Sequence, residues 1–149
     1  MSSISRKLPT VARVLLGAVF FVFGLNGFFH FLPQPPAPAR AMAFAGALGA
    51  TGYFFPLLKA TEVLAGALLL AGALVPFALT LLAPIIVNIV AFHAFLAPGN
   101  YAVVGLVLAT EVYLAFVHRA VFAPLFARHA SRPAEAAPAR LGSAARHPA

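Results

Sequence analysis

Two oppositely charged residues lie inside one of the most apolar stretches of the chain. The segment FPLLKATEVLAGALLLAG, residues 55–72, contains Lys59 and Glu62, which are three positions apart. On a helix this spacing places both side chains on one face, where an ammonium and a carboxylate can form a salt bridge. Such a pair can hold a polar ligand or exchange protons with it. Lys59 and Glu62, together with Glu111, are therefore the candidates for a catalytic role, although the sequence assigns no reaction to them.

Other polar side chains interrupt the neighbouring apolar runs. With the charged pair they form the candidate ligand-binding set: Asn26, His30, Lys59, Glu62, Asn88, His93 and Glu111. A charged side chain at the centre of a membrane helix costs about 2.5 to 3.5 kcal/mol, so these residues are expected to face the protein interior and to pair. Histidine and glutamate can bind zinc or iron, but the chain has no H-x-x-x-H or E-x-x-H spacing, and no metal site is predicted.

The elements that must position these residues have the composition of membrane helices. The 149 residues are 62% apolar and only 9% charged, and the mean hydropathy is +0.97. A soluble domain is nearer to about half apolar and about a quarter charged. A bilayer core of roughly 30 Å requires about 20 helical residues per crossing. Four runs meet this length and predict an all-α fold, an integral membrane four-helix bundle within residues 1–126, with spans at about 8–31, 53–75, 76–96 and 101–122.

The remaining segments connect or follow the predicted spans. PQPPAPAR, residues 33–40, cannot continue a helix, and residues 41–50 are predicted to form a short interfacial helix after the first span. Residues 127–149, rich in Ala, Pro and Arg, are predicted to be a disordered basic cytoplasmic tail. A signal peptide is the weaker interpretation of the N-terminal run, because the run is too long and the candidate cleavage site ARA lies far beyond its end.

The distribution of charge indicates how the chain is oriented. The net charge is +7, but the basic residues flank the first and last apolar runs and form no nucleic-acid-binding patch. Lysine and arginine are retained on the cytoplasmic side of membrane proteins. We therefore predict a multi-pass protein of a bacterial cytoplasmic (inner) membrane, with both termini in the cytoplasm and with lipid, not nucleic acid, as its surroundings. The absence of cysteine excludes disulfides and thiolate chemistry within the chain.

A short internal match suggests a duplication. Ala-Thr-Glu-Val at residues 60–63, in the second predicted span, recurs at residues 109–112, in the fourth. Asn26 and His30 in the first span also correspond loosely to Asn88 and His93 in the third. Two repeated helical hairpins, related by an axis along the membrane normal, would produce this arrangement.

Four crossings would bring the polar residues to similar depths. With a helix rise of about 1.5 Å per residue, the whole candidate set falls within about 15 Å of the outer surface. The ionisable side chains of the separate spans are thus expected to meet in one chamber in the outer half of the membrane, with only one of Asn88 and His93 facing fully inward. Two interpretations stay open: the side chains hold the helices together as a polar network, or they line a ligand site that opens to the outer leaflet.

Three stretches of the sequence resemble the DoxX family of small bacterial membrane proteins. They are GLNGFFHFLP at 24–33, TGYFFPLLKATEVLAGALLL at 51–70 and APIIVNIVAFHAFL at 83–96. The resemblance implies a transmembrane bundle of four helices and an association with quinone-linked oxidoreductases. It does not identify a catalytic set, because many members of the family have no known activity.

The leading hypothesis is a membrane subunit that holds a quinone, or a similar amphipathic cofactor, beside a partner oxidoreductase subunit. Quinone carbonyls accept hydrogen bonds, so Lys59, His30 and His93 are the expected donors. A non-catalytic scaffold for a partner enzyme is one alternative. A small transporter subunit is another, and because the polar lining is confined to the outer half, it would require a homo-oligomer to complete a pathway.

Overall fold

The computed structural model describes residues 3–33, 36–99 and 101–126, and this part of the chain contains helices and turns without a strand. The predicted all-α fold class is thus confirmed. The predicted tail, residues 127–149, lies outside the described residues. The helices are α1 (Ser3–Phe29), α2 (Ala39–Ala50), α3 (Phe54–Ala71), α4 (Val75–Phe95), α5 (Tyr101–Val117) and α6 (Arg119–Phe122), and a single 3-10 turn (Ala123–Phe126) follows.

Three of the described helices are long and apolar enough to cross a membrane. They are α1 from Lys7 onward, α3 and α4, and a fourth crossing is counted only if α5 and the bent segment after it form one span. The helices also expose large apolar side chains, including Leu57, Val87 and Val112. A surface of this kind is stable only in apolar surroundings, which indicates a lipid bilayer.

The fourth predicted span, 101–122, is not one straight helix. The chain bends by 74° between α5 and the segment Arg119–Phe126. At the bend, the Leu114 carbonyl accepts the backbone N–H of His118 at 3.0 Å and lies 2.9 Å from its ring Nδ1. The helical bond from the His118 N–H to the Leu114 carbonyl is thus kept, and the chain changes direction after it. Hydropathy averages over a window of residues and does not register a local bend, so the sequence predicted an unbroken span.

The helices pack in a ring around a small apolar core. Helix α1 contacts α3 and α5, and α4 contacts the same two helices from the other side. The core is formed by side chains that all four contribute, among them Leu16, Leu69, Leu79, Leu82, Ile86 and Leu114. Three polar residues of the candidate set, Asn26, Glu62 and Glu111, are buried among these helices.

The closest pair in this ring is α1 with α3, and glycines make the approach possible. A Cβ atom on Gly66 would lie 2.5 Å from the backbone nitrogen of Phe21, and one on Gly24 would lie 2.9 Å from the nitrogen of Val63. Side chains at these positions would separate the two helices. Gly17 of α1 lies directly against Gly66 of α3, since a Cβ atom on Gly17 would lie 3.1 Å from the Gly66 carbonyl oxygen.

Helix α3 ends at Gly72, whose φ of 72° lies in the left-handed region that glycine adopts without strain. Arg13 of α1 reaches this end of α3. Its guanidinium donates to the carbonyl of Leu69 and, at 3.2 Å, to that of Leu70. A cation at a helix C-terminus is stabilised by the aligned peptide dipoles. Arg13 thus joins α1 to α3.

Candidate functional site

A cavity of about 600 Å³ lies among α1, α3, α4 and α5 and contains most of the charged and polar residues of the candidate set. We call it the Lys59 pocket. Its polar lining consists of Lys59, Glu62, Asn88 and His93. The remaining walls are aliphatic or aromatic: Val19, Phe20, Phe23, Phe55, Leu58, Ile85, Ile89, Phe92, Val103, Val104 and Val107. A few convergent polar groups in an apolar cavity of this size are typical of small-molecule sites.

The predicted salt bridge within α3 is present. Lys59 Nζ lies 2.7 Å from Glu62 Oε2, and the two side chains are 23% and 5% exposed. The carboxylate is thus buried beside its cation, while the ammonium remains partly accessible. An ammonium has three N–H donors, and this bond uses one of them. Lys59 is therefore the group that can donate to a ligand in the pocket.

His93 completes the polar side of the pocket from α4. Its Nδ1 lies 2.9 Å from the carbonyl oxygen of Ile89. A carbonyl can only accept, so Nδ1 carries the proton, and Nε2 of the neutral ring is an acceptor. The same ring lines a second cavity of about 510 Å³ beneath α2. Asn88 of α4, which is exposed, also lines the Lys59 pocket.

Asn26 and His30 line a neighbouring cavity of about 480 Å³, which also includes Lys59. Asn26 is 3% exposed, and its Oδ1 accepts the backbone N–H of Leu32 at 2.6 Å. Its backbone carbonyl accepts the N–H of His30 at 2.8 Å. Asn26 therefore holds the C-terminal turn of α1 closed, so its acceptor oxygen is already engaged. His30 is exposed, with a φ of 52°.

We expect that replacing His30 with glycine raises stability. A non-glycine residue in the left-handed region carries about 1 kcal/mol of steric strain, which glycine relieves. The change should therefore raise the free energy of unfolding by about 0.5 kcal/mol or more. Thermal unfolding of purified protein in detergent measures this. His30→Ala retains the strain and removes the imidazole, so it should not stabilise; equal gains from both variants would show that the imidazole, not the backbone, is unfavourable.

Glu111 does not line the Lys59 pocket. It lines a separate groove of about 500 Å³ between α4, α5 and the segment 119–126. The expected single chamber is thus divided, with Glu111 on its own. Glu111 and Glu62 occupy the same place in the repeated Ala-Thr-Glu-Val, and both are buried. The position equivalent to Lys59 is Leu108, so Glu111 lacks the cation that neutralises Glu62. Among the described residues, no three His, Asp or Glu side chains are grouped so as to hold a metal.

Two aromatic residues outside the candidate set line the site. Phe23 and Phe55 both border the Lys59 pocket and the Asn26 cavity. The signal was present in the spacing: Phe23 precedes Asn26 by three residues, and Phe55 precedes Lys59 by four. Residues at these spacings share one face of a helix. An aromatic ring one turn from a buried polar residue therefore points toward the same cavity.

Comparison of the chain with family models, with curated proteins and with solved structures finds no match. Membership of the DoxX family has no support from these comparisons and stays a resemblance in the sequence.

Proposed function

We propose that the protein is a four-crossing membrane subunit whose Lys59 pocket binds a small amphipathic molecule of the quinone type. Both termini face the cytoplasm of a bacterial inner membrane, so the pocket lies in the outer half of the bilayer. The observation that carries the proposal is the Lys59–Glu62 pair, whose carboxylate is buried and whose ammonium is partly accessible, at the wall of a mainly apolar cavity of about 600 Å³. The resemblance to DoxX proteins supplies the link to quinone-linked oxidoreductases.

The chemistry of the pocket matches the two parts of such a molecule. A quinone ring presents carbonyl oxygens, which accept hydrogen bonds from the free N–H donors of Lys59. Phe23 and Phe55 provide flat apolar surfaces for the ring, and the aliphatic walls accept its tail. Glu62 can exchange a proton through Lys59. The role of this chain is to bind and orient the molecule, and the electrons come from a partner oxidoreductase.

A binding experiment tests the proposal. Protein purified in mild detergent should carry quinone that mass spectrometry detects in its lipid extract, and added decylubiquinone should raise its unfolding temperature. Asn88→Phe should abolish the shift, because a ring at this exposed position fills the pocket. Val87→Phe is the matched control: Val87 is also exposed and borders none of the described cavities. A quinone-free extract without any shift, or equal shifts in both variants, would defeat the proposal.

A non-catalytic scaffold for a partner enzyme is the second candidate. Two observations favour it: Asn26 is engaged in closing α1, and Glu62 is already paired. If the polar residues only stabilise the helix bundle, the pair can be replaced by apolar residues without loss of function. The double variant described in the Discussion separates the two candidates.

A further inference from the structure

The groove around Glu111 contains a buried polar atom without a partner. Glu111 is 6% exposed, and its Oε2 has no hydrogen-bond partner among residues 3–33, 36–99 and 101–126. A buried acceptor without a donor costs about 1 to 3 kcal/mol. The side chain lines a groove of about 500 Å³, whose other walls are mainly Leu79, Ala83, Ala115 and Phe122. The groove thus has room for a ligand and one group that requires a donor.

The other polar groups of the groove restrict the chemistry of that ligand. Thr80 uses its hydroxyl proton on the Pro76 carbonyl, at 2.9 Å, so its oxygen faces a ligand only as an acceptor. Arg119, which lines the same groove, lies over the Phe116 ring at 4.5 Å and donates to the Phe116 carbonyl at 3.3 Å. Its positive charge disfavours an ammonium ligand nearby. A neutral donor, the hydroxyl group, is compatible with all three residues.

We infer that the Glu111 groove is a second binding site, which takes a lipophilic phenol or alcohol whose hydroxyl donates to Glu111. The apolar body of the ligand lies against the α4 and α5 walls. This site shares no residue with the Lys59 pocket, so it does not depend on the function proposed for that pocket. Its ligand has the opposite hydrogen-bonding polarity: the Lys59 pocket donates and the Glu111 groove accepts.

Carbodiimide labelling tests first whether the groove is open in the full-length protein. Dicyclohexylcarbodiimide is lipophilic, and a carboxylic acid adds across one of its C=N bonds, with its proton passing to nitrogen, to form a stable N-acylurea after rearrangement. In detergent-purified protein, peptide mass spectrometry should locate the adduct on Glu111 and not on Glu62, which is paired with Lys59. An unlabelled Glu111 would mean that another part of the chain fills the groove, and it would overturn the inference.

Competition then tests recognition of the hydroxyl group. We expect 4-octylphenol to slow labelling of Glu111, and 4-octylanisole, which lacks the O–H, to require about a fivefold higher concentration, as expected for the loss of one hydrogen bond. Ala115→Leu, which narrows the groove, should slow labelling and weaken competition. Val112→Leu, an exposed position on the same helix, should change neither. Equal competition by the two compounds, or equal effects of the two variants, would overturn the inference.

Discussion

Replacing Lys59 with methionine is expected to destabilise the protein by about 3 kcal/mol, because it leaves the Glu62 carboxylate buried without its cation. Glu62 is 4% exposed, and the Lys59 ammonium, 2.7 Å away, is its described partner. Methionine is the appropriate replacement because it keeps the unbranched stem that covers Gly27. The loss of the charge is thus separated from the loss of packing. The unfolding temperature in detergent measures the effect.

The double variant Lys59→Met/Glu62→Leu provides the control. Replacing both members of a buried ion pair with apolar residues of similar volume is commonly neutral or stabilising. We therefore expect the double variant to be more stable than Lys59→Met alone and close to wild type. If both variants are equally damaged, Lys59 has a structural role beyond neutralising Glu62.

The same double variant separates a binding site from a purely structural network. If the Lys59 pocket binds a quinone, the double variant folds and loses the decylubiquinone-dependent rise in unfolding temperature, because its donor is absent. If the chain is a scaffold, the double variant still supports its partner enzyme. The unfolding temperature of the double variant without ligand shows whether it folds. Its response to decylubiquinone and its support of the partner enzyme then distinguish the two functions.

Gly66→Ala is expected to destabilise the protein by about 2 kcal/mol, since overpacking between closely packed elements typically costs this much. The added methyl group would meet the Phe21 nitrogen at 2.5 Å and both the Gly17 carbonyl oxygen and the Phe21 Cα at 2.9 Å. All three are backbone atoms, so no side-chain rotation relieves the contact. Helices α1 and α3 must move apart, and the unfolding temperature and the rate of proteolysis report the change.

Gly105→Ala is the matched control, because it adds the same methyl group to a helix where nothing lies within 4 Å. Alanine is favoured over glycine in a helix interior by about 0.5 to 1 kcal/mol, so this variant should be slightly more stable than wild type. A Gly66→Ala protein as stable as Gly105→Ala would contradict the close packing of α1 against α3.

Much of the helical architecture follows from the sequence, because long apolar runs interrupted by Pro and Gly have few other solutions in lipid. Helices α3 and α4 lie within a few residues of the predicted spans 53–75 and 76–96, and the short helix predicted at 41–50 begins at Ala39. The 74° bend at His118 was not predicted, because hydropathy averages over a window of residues and does not register a local change of direction.

The candidate site likewise has features that the sequence determined and features that only the tertiary structure decided. Spacing along α3 determined the Lys59–Glu62 pair, since residues three apart on a helix must share a face. Only the tertiary structure decided which helices surround that pair. It also decided that Asn26 closes α1 and that Glu111 lies in a separate groove. Depth along each span can be counted from the sequence, but the rotation of one helix against another is set by close packing, here by the glycines that bring α1 against α3.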